Sequence, residues 1–198
     1  MLSDLKNRFF DSPYTFKIIR GLLESDNAVE LRLLRDHIRP SEKVLDIGCG
    51  TGDFSVISDF YRGIDMNGRF TAYATKRYGK DFRVMDATHL VFKNKEFDTA
   101  LLLSMLHHFS KETLGKILKE VARVSRRLIV VDLIQKNNPV SRLLYALDRG
   151  DYIRPFEEQK KLLSSFFSIE KAFIFDASLL YRHSFIVARP KKTIMLRK

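Results

Sequence analysis

Three glycines at alternate positions follow an apolar run in the first third of the chain. Gly48, Gly50 and Gly52 come directly after Lys-Val-Leu-Asp-Ile at 43–47, and a helical stretch is predicted beyond them. Glycine lets a backbone turn sharply and lie against a ligand with no Cβ in the way. A ligand there would also meet a helix N-terminus beyond the carboxyl end of a strand. The pattern therefore predicts a ligand-binding turn between a strand and a helix.

The spacing and the flanking charges indicate which ligand this loop suits. A dinucleotide-binding loop has the spacing G-x-G-x-x-G, whereas these glycines are two positions apart throughout. Carboxylates flank the loop at Asp46 and Asp53, where negative charge disfavours a pyrophosphate and suits a cation that carries an amino group. An NAD-dependent oxidoreductase is therefore disfavoured, and a positively charged ligand is predicted.

Two more acids stand where the next strands are predicted to end. Asp65 closes the run 61–65 and Asp86 follows the run 82–85. A carboxylate accepts hydrogen bonds from both hydroxyls of a cis-diol, so Asp65 suits a ribose. Each acid taken alone is more often a turn or cap residue. Asp98 precedes the opposite edge of the sheet, and we predict a structural role for it.

Four segments in order resemble the class I S-adenosylmethionine-dependent methyltransferases. Residues 44–52 read hydrophobic-Leu-Asp-hydrophobic-Gly-x-Gly-x-Gly, and similar motifs follow at 63–67, 84–87 and 97–109. The resemblance implies that Asp65 holds the ribose, that Asp86 meets the adenine amino group and that the Ala87 backbone meets the ring. The residues assigned to S-adenosylmethionine, or to its product S-adenosylhomocysteine, are Asp46, Gly48, Cys49, Gly50, Gly52, Asp65, Met66, Asp86, Ala87 and Ser104.

His107 and His108 follow the predicted fourth strand on the ligand side. Methyl transfer from a sulfonium is an in-line displacement with an activated donor, so the protein mainly aligns the reactants and excludes water. Either histidine could act as a general base towards a hydroxyl or an acidic carbon. A structural role, capping the next helix or packing beside Phe109, is left open. The Leu-His-His sequence is similar to the broad branch that includes quinone-biosynthesis methyltransferases.

The predicted insert between the fifth and sixth strands, 135–167, is rich in polar and aromatic side chains. In the family that the chain resembles, such an insert forms part of the acceptor pocket. Arg149 and Arg154 could hold a carboxylate or phosphate, and Tyr145 and Tyr152 could line an aromatic acceptor. A loop cross-linked by Asp–Arg pairs explains the same residues equally well.

The alternation of apolar runs predicts an α/β fold. Helical stretches at about 52–59, 67–78 and 111–125 separate the runs, as in the βαβ units of a parallel sheet. The last two runs lie close together, joined at Asp176-Ala177-Ser178, and this closeness predicts an antiparallel pair. We predict a Rossmann-like, seven-stranded, mostly parallel sheet with an antiparallel last strand, helices on both faces and an N-terminal helical cap over 1–40. The predicted strands are 43–47, 61–65, 82–85, 97–103, 127–133, 169–175 and 181–188.

The composition fits one compact domain over 1–198. The chain is 45% hydrophobic and has a single cysteine, which excludes an internal disulfide and a cysteine-cluster metal site and suits the cytoplasm. We expect no metal cofactor. No apolar run approaches the roughly 20 residues of a spanning helix. The first eleven residues carry charges throughout, and we expect no signal peptide.

The positive charge is concentrated in the second half of the chain. Residues 1–109 hold 16 Lys and Arg against 15 Asp and Glu, a net of +1, whereas 110–198 hold 19 against 9, a net of +10. A solvated face with a basic tail at 190–198 explains this excess, and so does a surface for an anionic partner.

Three functions stay open at this point. The first is a methyltransferase for a small or lipid-like acceptor, which could be anionic or aromatic. The second is an RNA or protein methyltransferase that docks through the basic half; nucleic acid is not favoured, because no Asn-Pro-Pro-aromatic tetrapeptide follows the fourth strand. The third is a non-catalytic binding module of the same fold. The oligomeric state is also open.

Overall fold

The structure is a computed structural model that describes residues 12–15, 17, 27–134, 152–178 and 181–192. Within those ranges the strands are β1 (Lys43–Ile47), β2 (Phe60–Asp65), β3 (Asp81–Val84), β4 (Phe97–Leu103), β5 (Ser125–Ile134), β6 (Phe167–Asp176) and β7 (Arg182–Pro190). The helices are α1 (Ala28–Arg35), α2 (Gly68–Tyr78), α3 (Lys111–Val124) and α4 (Phe156–Ser164), with 3₁₀ turns at Asp53–Ile57 and Leu106–His108. Predicted features that lie outside the described residues are most of the first cap helix, Tyr145, Arg149 and the end of the basic tail.

The strands form one sheet with the order β3-β2-β1-β4-β5-β7-β6. β1 to β5 run parallel to one another, whereas β7 runs antiparallel to both β5 and β6. The predicted mostly parallel α/β sheet with an antiparallel last strand is confirmed. The strand order reverses between β1 and β4, and open α/β sheets bind ligands beyond the carboxyl ends of the strands at such a switch point.

The two faces of the sheet bury different side chains, because successive residues of a strand point to opposite faces. On one face, Leu45 and Ile47 of β1 pack in the same cluster as Leu114 of α3. On the other face, Val44 packs in the same cluster as Leu34 of α1. All five side chains are fully buried, and burial of each stabilises the fold by about 1.5–3 kcal/mol. The prediction of helices on both faces is thereby confirmed.

The segment after the glycines is a short 3₁₀ turn, Asp53–Ile57, which lies within the helical stretch predicted over about 52–59. β2 already begins at Phe60, so only residues 53–59 are left between Gly52 and the strand. Seven residues cannot hold both an α-helix of ordinary length and a link back to the sheet. The helix is therefore shortened, while the glycines keep their place at its start.

Local signals set the ends of the helices next to the carboxyl edge of the sheet. The Asn67 side chain accepts the N–H of Arg69 at 3.0 Å and caps α2, and Gly79 ends that helix with a φ of 65°. The Ser110 hydroxyl accepts the N–H of Thr113 at 3.3 Å and caps α3. α2 therefore begins just after the end of β2, whereas α3 begins only after the 3₁₀ turn that follows β4.

Candidate active site

The glycine loop, Gly48 to Gly52, carries the chain from β1 into the 3₁₀ turn. Its three glycines have φ values of 74°, 51° and 76°, in the left-handed region that other residues rarely adopt. The N–H groups of Gly48 and Cys49 both donate to the carbonyl of Ile64, at 2.8 and 3.0 Å. The backbone conformation accounts for glycine at all three positions, and β2 anchors the loop.

The space around the three glycines differs. A Cβ added at Gly48 would lie 3.0 Å from Sδ of Met105, and one at Gly52 would lie 2.7 Å from the ring of Phe82. A Cβ at Gly50 would meet nothing within 4 Å. The outer two glycines therefore allow close packing inside the protein, whereas Gly50 borders open space.

Asp65 ends β2 and turns back to the glycine loop. Its Oδ2 accepts the N–H of Gly50 at 2.9 Å, and its Oδ1 accepts the N–H of Asn67 at 2.8 Å. Each oxygen has two lone pairs, so one on each stays available for a ligand hydroxyl. The neighbouring side chain of Met66 is 69% exposed. The end of β2 thus presents a fixed carboxylate beside an exposed apolar side chain.

Asp86 and Ala87 follow β3 at the same edge. The Asp86 carboxylate is exposed and its Oδ1 accepts the N–H of Thr88 at 2.8 Å. This backbone hydrogen bond, together with the Thr88 side chain, lowers the pKa of the Asp86 carboxyl below its ordinary value. Ala87 is buried. Asp86 is therefore an ionised acceptor at the surface, and its contact with adenine stays a prediction.

The two acids that flank the glycine loop both have partners within the protein. Asp46 is buried, and its Oδ2 accepts the hydroxyl of Tyr61 at 2.6 Å. Oδ1 of Asp53 accepts the ammonium of Lys17 at 2.8 Å and the hydroxyl of Tyr78 at 2.6 Å. Burial alone raises the pKa of Asp53, but these donors bring it below its ordinary value. A contact of Asp46 with the ligand stays a prediction, and the cation beside Asp53 here is Lys17.

Cys49 and Asp98 occupy positions with structural contacts. The Cys49 side chain is buried, and burial raises its pKa, as do the charges of Asp46 and Asp65. A Cβ added at Gly63 would lie 2.8 Å from Cys49 Sγ, so the thiol fills the space behind the loop. Asp98 accepts the N–H of Lys43 at 3.0 Å, at the start of β1 and β4. That edge is opposite to the glycine loop.

The segment after β4 brings the two histidines beside the glycine loop. Ser104 has a φ of 51° and donates its N–H to Val131 at 2.7 Å, which turns the chain away from the sheet. Met105, which packs under Gly48, leads into the 3₁₀ turn that carries His107 and His108. His107 is buried and His108 is exposed. Their rings lie 4.2 Å apart between centroids.

Asp132 of β5 is a site residue that the sequence patterns did not indicate. Its Oδ1 lies 2.6 Å from Nδ1 of His107, and both side chains are almost fully buried. Its Oδ2 accepts the N–H groups of Met105 and Leu106. One signal was available in the sequence, since Asp132 is the single charged residue in the apolar run 128–134.

Tyr152 and Arg154 connect the insert to the turn after β4. Tyr152 donates its N–H to the carbonyl of His107 at 3.0 Å, and its side chain is 44% exposed. The Arg154 guanidinium is 5% exposed and donates to the carbonyls of Leu106 and Phe109 at 2.8 and 2.7 Å. Arg154 thus braces the backbone of this turn. Its predicted contact with an acceptor anion stays a prediction.

The basic residues around α3 are mostly paired with acids. The six that the sequence singles out are Lys111, Lys116, Lys119, Arg123, Arg126 and Arg127. Five of them have a carboxylate within 4 Å, including Glu158 for Lys111 and Glu42 for Arg127. Arg123 also donates to the carbonyls of Leu90 and Phe92. Most of the charge on this stretch is therefore neutralised locally.

The described ranges contain neither a metal-ligand cluster nor a membrane-spanning helix. There, no group of three or more His, Cys, Asp or Glu side chains is arranged to hold a metal ion. None of the helices in the same ranges has the length and apolar character needed to span a bilayer.

Residues 44–127 match the family model described as "Methyltransferase domain". The match contains the glycine loop, Asp65, Asp86 and the turn after β4, which are the parts assembled at the carboxyl edge of the sheet. The match shows that residues 44–127, 84 of the 198 residues of the chain, are similar to methyltransferase domains. The quinone-biosynthesis branch is not singled out by the match.

Two curated relatives share part of this domain. An uncharacterized protein of Methanocaldococcus jannaschii is 36% identical over 97 residues, which are 48% of this chain and 38% of that protein. The probable tRNA methyltransferase 9B of Mus musculus is 36% identical over 89 residues, which are 43% of this chain and 20% of that protein. The chain therefore spans less than two fifths of the length of these relatives.

A solved structure shares the fold over most of its length. Magnesium protoporphyrin IX methyltransferase from Synechocystis PCC 6803, with bound S-adenosylhomocysteine, superposes with a TM-score of 0.66. The alignment covers 90% of this chain and 87% of that one at 21% identity. At this identity the similarity shows the fold alone.

Proposed function

We propose that the chain transfers a methyl group from S-adenosylmethionine to an acceptor molecule. The observation that carries this proposal is the contact between Gly50 and Asp65. The Gly50 N–H donates to the carboxylate at 2.9 Å, and open space lies beside Gly50. The carboxylate is thus held at the edge of that space with lone pairs free for a ribose. A nucleoside bound there by its diol would bring its 5′ substituent to the glycine loop.

The other residues at this edge fit the rest of S-adenosylmethionine. The exposed side chain of Met66 offers an apolar surface for the adenine ring, and the ionised Asp86 offers an acceptor for its amino group. The Ala87 backbone lies beside Asp86. The carboxylates near the loop favour a positively charged sulfur over a neutral one. When bound, S-adenosylmethionine supplies a methyl group that is already activated for displacement.

The task left to the chain's own residues is alignment and exclusion of water. Ser104 directs the chain out of β4, and the turn that follows places His107 and His108 beside the loop. Either histidine would hold or take the acceptor's proton if the acceptor needs to lose one. Proper alignment is worth several kcal/mol of the barrier, so the bracing of this turn by Arg154 and Asp132 bears directly on rate.

We favour a small or lipid-like acceptor over a macromolecule. The turn after β4 and the segment from Tyr152 onward are joined by hydrogen bonds, and the Tyr152 ring is partly exposed beside them. An aromatic wall of this kind suits an aromatic or apolar acceptor. The pairing of five of the six basic residues around α3 also leaves little free charge for a phosphate backbone.

Methylation of RNA is the second candidate, and the relatives support it. The probable tRNA methyltransferase 9B of Mus musculus matches over 43% of this chain, and residues 110–198 carry a net charge of +10. RNA binding through this half would weaken steeply with salt, because each phosphate contact releases counterions. Affinity for a tRNA transcript, measured from 50 to 300 mM salt, separates the candidates. A steep fall would favour RNA, and weak binding throughout would favour a small acceptor.

Calorimetry with S-adenosylhomocysteine tests the cofactor site. Gly50→Ala should weaken binding at least tenfold, because the new methyl group enters the space that the ligand needs. Gly79→Ala is the matched control. Gly79 also has a positive φ, 65°, and a Cβ added there would also meet nothing within 4 Å. Gly79 lies at the far end of α2, away from the proposed site. Asp65→Ala should abolish binding. Equal affinity in Gly50→Ala, Asp65→Ala and the native chain would contradict the proposal.

A screen with methyl-labelled S-adenosylmethionine tests turnover. Small-molecule and RNA fractions would be incubated with the native chain and with Asp65→Ala, and label would be traced by mass. Label in a small molecule that depends on Asp65 supports the favoured acceptor class. Binding of S-adenosylhomocysteine with no label transferred to either fraction would indicate a binding module without turnover.

A further inference from the structure

A lysine from the N-terminal segment lies at the end of the glycine loop. The ammonium of Lys17 is 2.8 Å from Oδ1 of Asp53, the residue that follows Gly52. The Lys17 side chain is 35% exposed and that of Asp53 is 16% exposed. Asp53 is three residues from Gly50, and three residues of chain span at most about 11 Å. The structure therefore places a partly exposed positive charge close to the space beside Gly50.

Asp53 holds this lysine while other donors share the charge of its carboxylate. Its Oδ1 also accepts the hydroxyl of Tyr78 at 2.6 Å, and its Oδ2 accepts the hydroxyl of Thr51 at 2.8 Å. Burial raises the pKa of this carboxyl, but Lys17 and the two hydroxyls bring it below its ordinary value. An ammonium has three N–H donors, and the bond to Asp53 uses one of them. Lys17 can therefore bind a second anion without leaving Asp53.

The segment that carries Lys17 also contacts α2. The ring of Tyr14, three residues earlier, packs edge-on against the ring of Tyr73, with 5.4 Å between the centroids and 85° between the planes. Tyr78, which donates to Asp53, ends the same helix. One ionic and one aromatic contact thus set the position of Lys17 relative to the glycine loop. An ammonium that is already held in place loses little side-chain freedom when it meets a ligand.

The methionine part of S-adenosylmethionine carries both an amine and a carboxylate. It is the end of the 5′ substituent that the proposed function directs to the glycine loop. After burial, the negative charges of Asp46 and Asp65 raise the pKa of the Cys49 thiol in that loop. The same charges attract an amine and repel a carboxylate. The carboxylate of the ligand therefore needs a positive charge nearby, and Lys17 supplies one at the end of the loop.

We propose that Lys17 binds the carboxylate of the methionine part of S-adenosylmethionine, and that Asp53 positions the Lys17 ammonium for this contact. The inference rests on the proposed function. A hydrogen bond between an ammonium and a carboxylate is about twice as strong as one between neutral groups. Asp53 thus orients a cation of the protein and does not meet the cation of the ligand. The N-terminal segment becomes part of the cofactor site, although it lies outside the matched residues 44–127.

Calorimetry with two ligands that differ only in the carboxylate tests this contact. S-adenosylhomocysteine has the carboxylate, whereas decarboxylated S-adenosylhomocysteine keeps the nucleoside, the sulfur and the amine. Lys17→Met should lower the affinity for S-adenosylhomocysteine by about tenfold or more, the size of one charged hydrogen bond. The same variant should not weaken binding of the decarboxylated ligand. Because both ligands report on the same folded chain, a general defect of the variant would lower both affinities.

Two further variants separate the charge of Lys17 from its packing. Lys17→Arg keeps the charge and should keep most of the affinity for S-adenosylhomocysteine. Lys160→Met is the matched control, because Lys160 pairs with Glu157 at 2.7 Å and is 30% exposed. It lies on α4, which leads into β6 at the edge of the sheet, and its loss should change neither affinity.

Three results would overturn the proposal. Equal weakening of both ligands in Lys17→Met would make Lys17 a brace of the loop and nothing more. Unchanged affinity for S-adenosylhomocysteine in Lys17→Met would show that no contact is made. A loss in Lys17→Arg as large as in Lys17→Met would show that the charge is not what the ligand meets. If the native chain bound neither ligand, the proposed function itself would fail.

Discussion

The proposed cofactor side and the proposed acceptor side of this site are built in different ways. On the cofactor side, which comprises the glycine loop with the ends of β2 and β3, backbone N–H groups meet carboxylates two or fifteen residues away, as in Asn67–Asp65 and Gly50–Asp65. On the acceptor side, which comprises the turn after β4, Asp132 and residues 152–159, side chains bind backbone groups 26 and 48 residues away, as in Asp132–Leu106 and Arg154–Leu106.

This difference explains why a donor site is easier to recognise in a sequence than an acceptor site. The cofactor side depends on backbone conformations that only glycine adopts readily, together with one carboxylate at each strand end. Its residues are therefore constrained in type and in spacing. The acceptor side depends on which side chains reach one turn from distant elements, and several residue types could do so. The four predictions below test this contrast, from the largest expected effect to the smallest.

Gly52→Val should have the largest effect. A Cβ at Gly52 would lie 2.7 Å from the Phe82 ring and 2.9 Å from the Ala74 Cβ, at a φ of 76°. Overpacking of about 1–3 kcal/mol adds to left-handed strain of about 1–2 kcal/mol. We expect a loss of about 2–5 kcal/mol in the free energy of unfolding, measured with urea. Gly79→Val, which has the strain without the clash, is the control, and an equal loss there would show that packing at Gly52 is unimportant.

Arg154→Leu should destabilise the acceptor side. Removal of the guanidinium leaves the carbonyls of Leu106 and Phe109 without this donor in a buried region, and each unsatisfied group costs about 1–3 kcal/mol. We expect a loss of about 2–3 kcal/mol in urea unfolding, with affinity for S-adenosylhomocysteine nearly unchanged. Arg83→Leu removes an exposed arginine that pairs with Asp81 and should have little effect. A large loss of cofactor affinity in Arg154→Leu would contradict the separation of the two sides.

The stability of the chain in acid should depend on Asp132. Its pKa is lowered in the folded state, against about 4 in an unfolded chain. Its stabilising contribution is therefore present above about pH 4 and is lost as the pH falls through the lowered folded-state pKa. Urea unfolding in steps below pH 5 should show a shallower decline for Asp132→Asn than for the native chain. Asp98→Asn, at the opposite edge, should decline as steeply as the native chain.

Lys116→Gln should have the smallest effect. Lys116 pairs with Glu112 at 3.5 Å on the exposed face of α3, and both side chains are mostly exposed. Solvent screens such a pair, which contributes about 0.2–0.5 kcal/mol at most. Neither unfolding nor cofactor affinity should change measurably. If this variant bound a tRNA transcript more than threefold more weakly than the native chain, RNA would be favoured as the acceptor. The surface of α3 would then belong to the proposed acceptor side.

The predictions from sequence succeeded where local patterns carry the information. The alternation of apolar runs predicted the sheet, and the short link between the last two runs predicted their antiparallel pairing as β6 and β7, because a short link leaves the chain no other way to return. The helical stretch predicted after Gly52 is a short 3₁₀ turn, since β2 begins too soon for a longer helix. Asp53 was predicted to suit a ligand cation, and the structure places Lys17 there.

The residues that sequence patterns did not resolve are those whose partners are far along the chain. Asp132 is one acid in an apolar strand, and nothing in its neighbourhood indicates His107. Arg154 was predicted to hold an anion, yet its guanidinium is bound to backbone carbonyls of a turn nearly fifty residues earlier. In the sequence, the basic stretch around α3 suggested free positive charge. In the structure, Glu42, Asp98 and Glu158 lie beside its basic side chains.

The sequence by itself determined the fold class, the order of the strands' apolar runs and the glycine loop, because these depend on periodicity and on backbone conformations that few residues allow. Only the tertiary structure decided which acids face a ligand and which are paired inside the protein, and which histidine has a buried partner. Those outcomes depend on distances between elements that the sheet brings together, and no local pattern contains them.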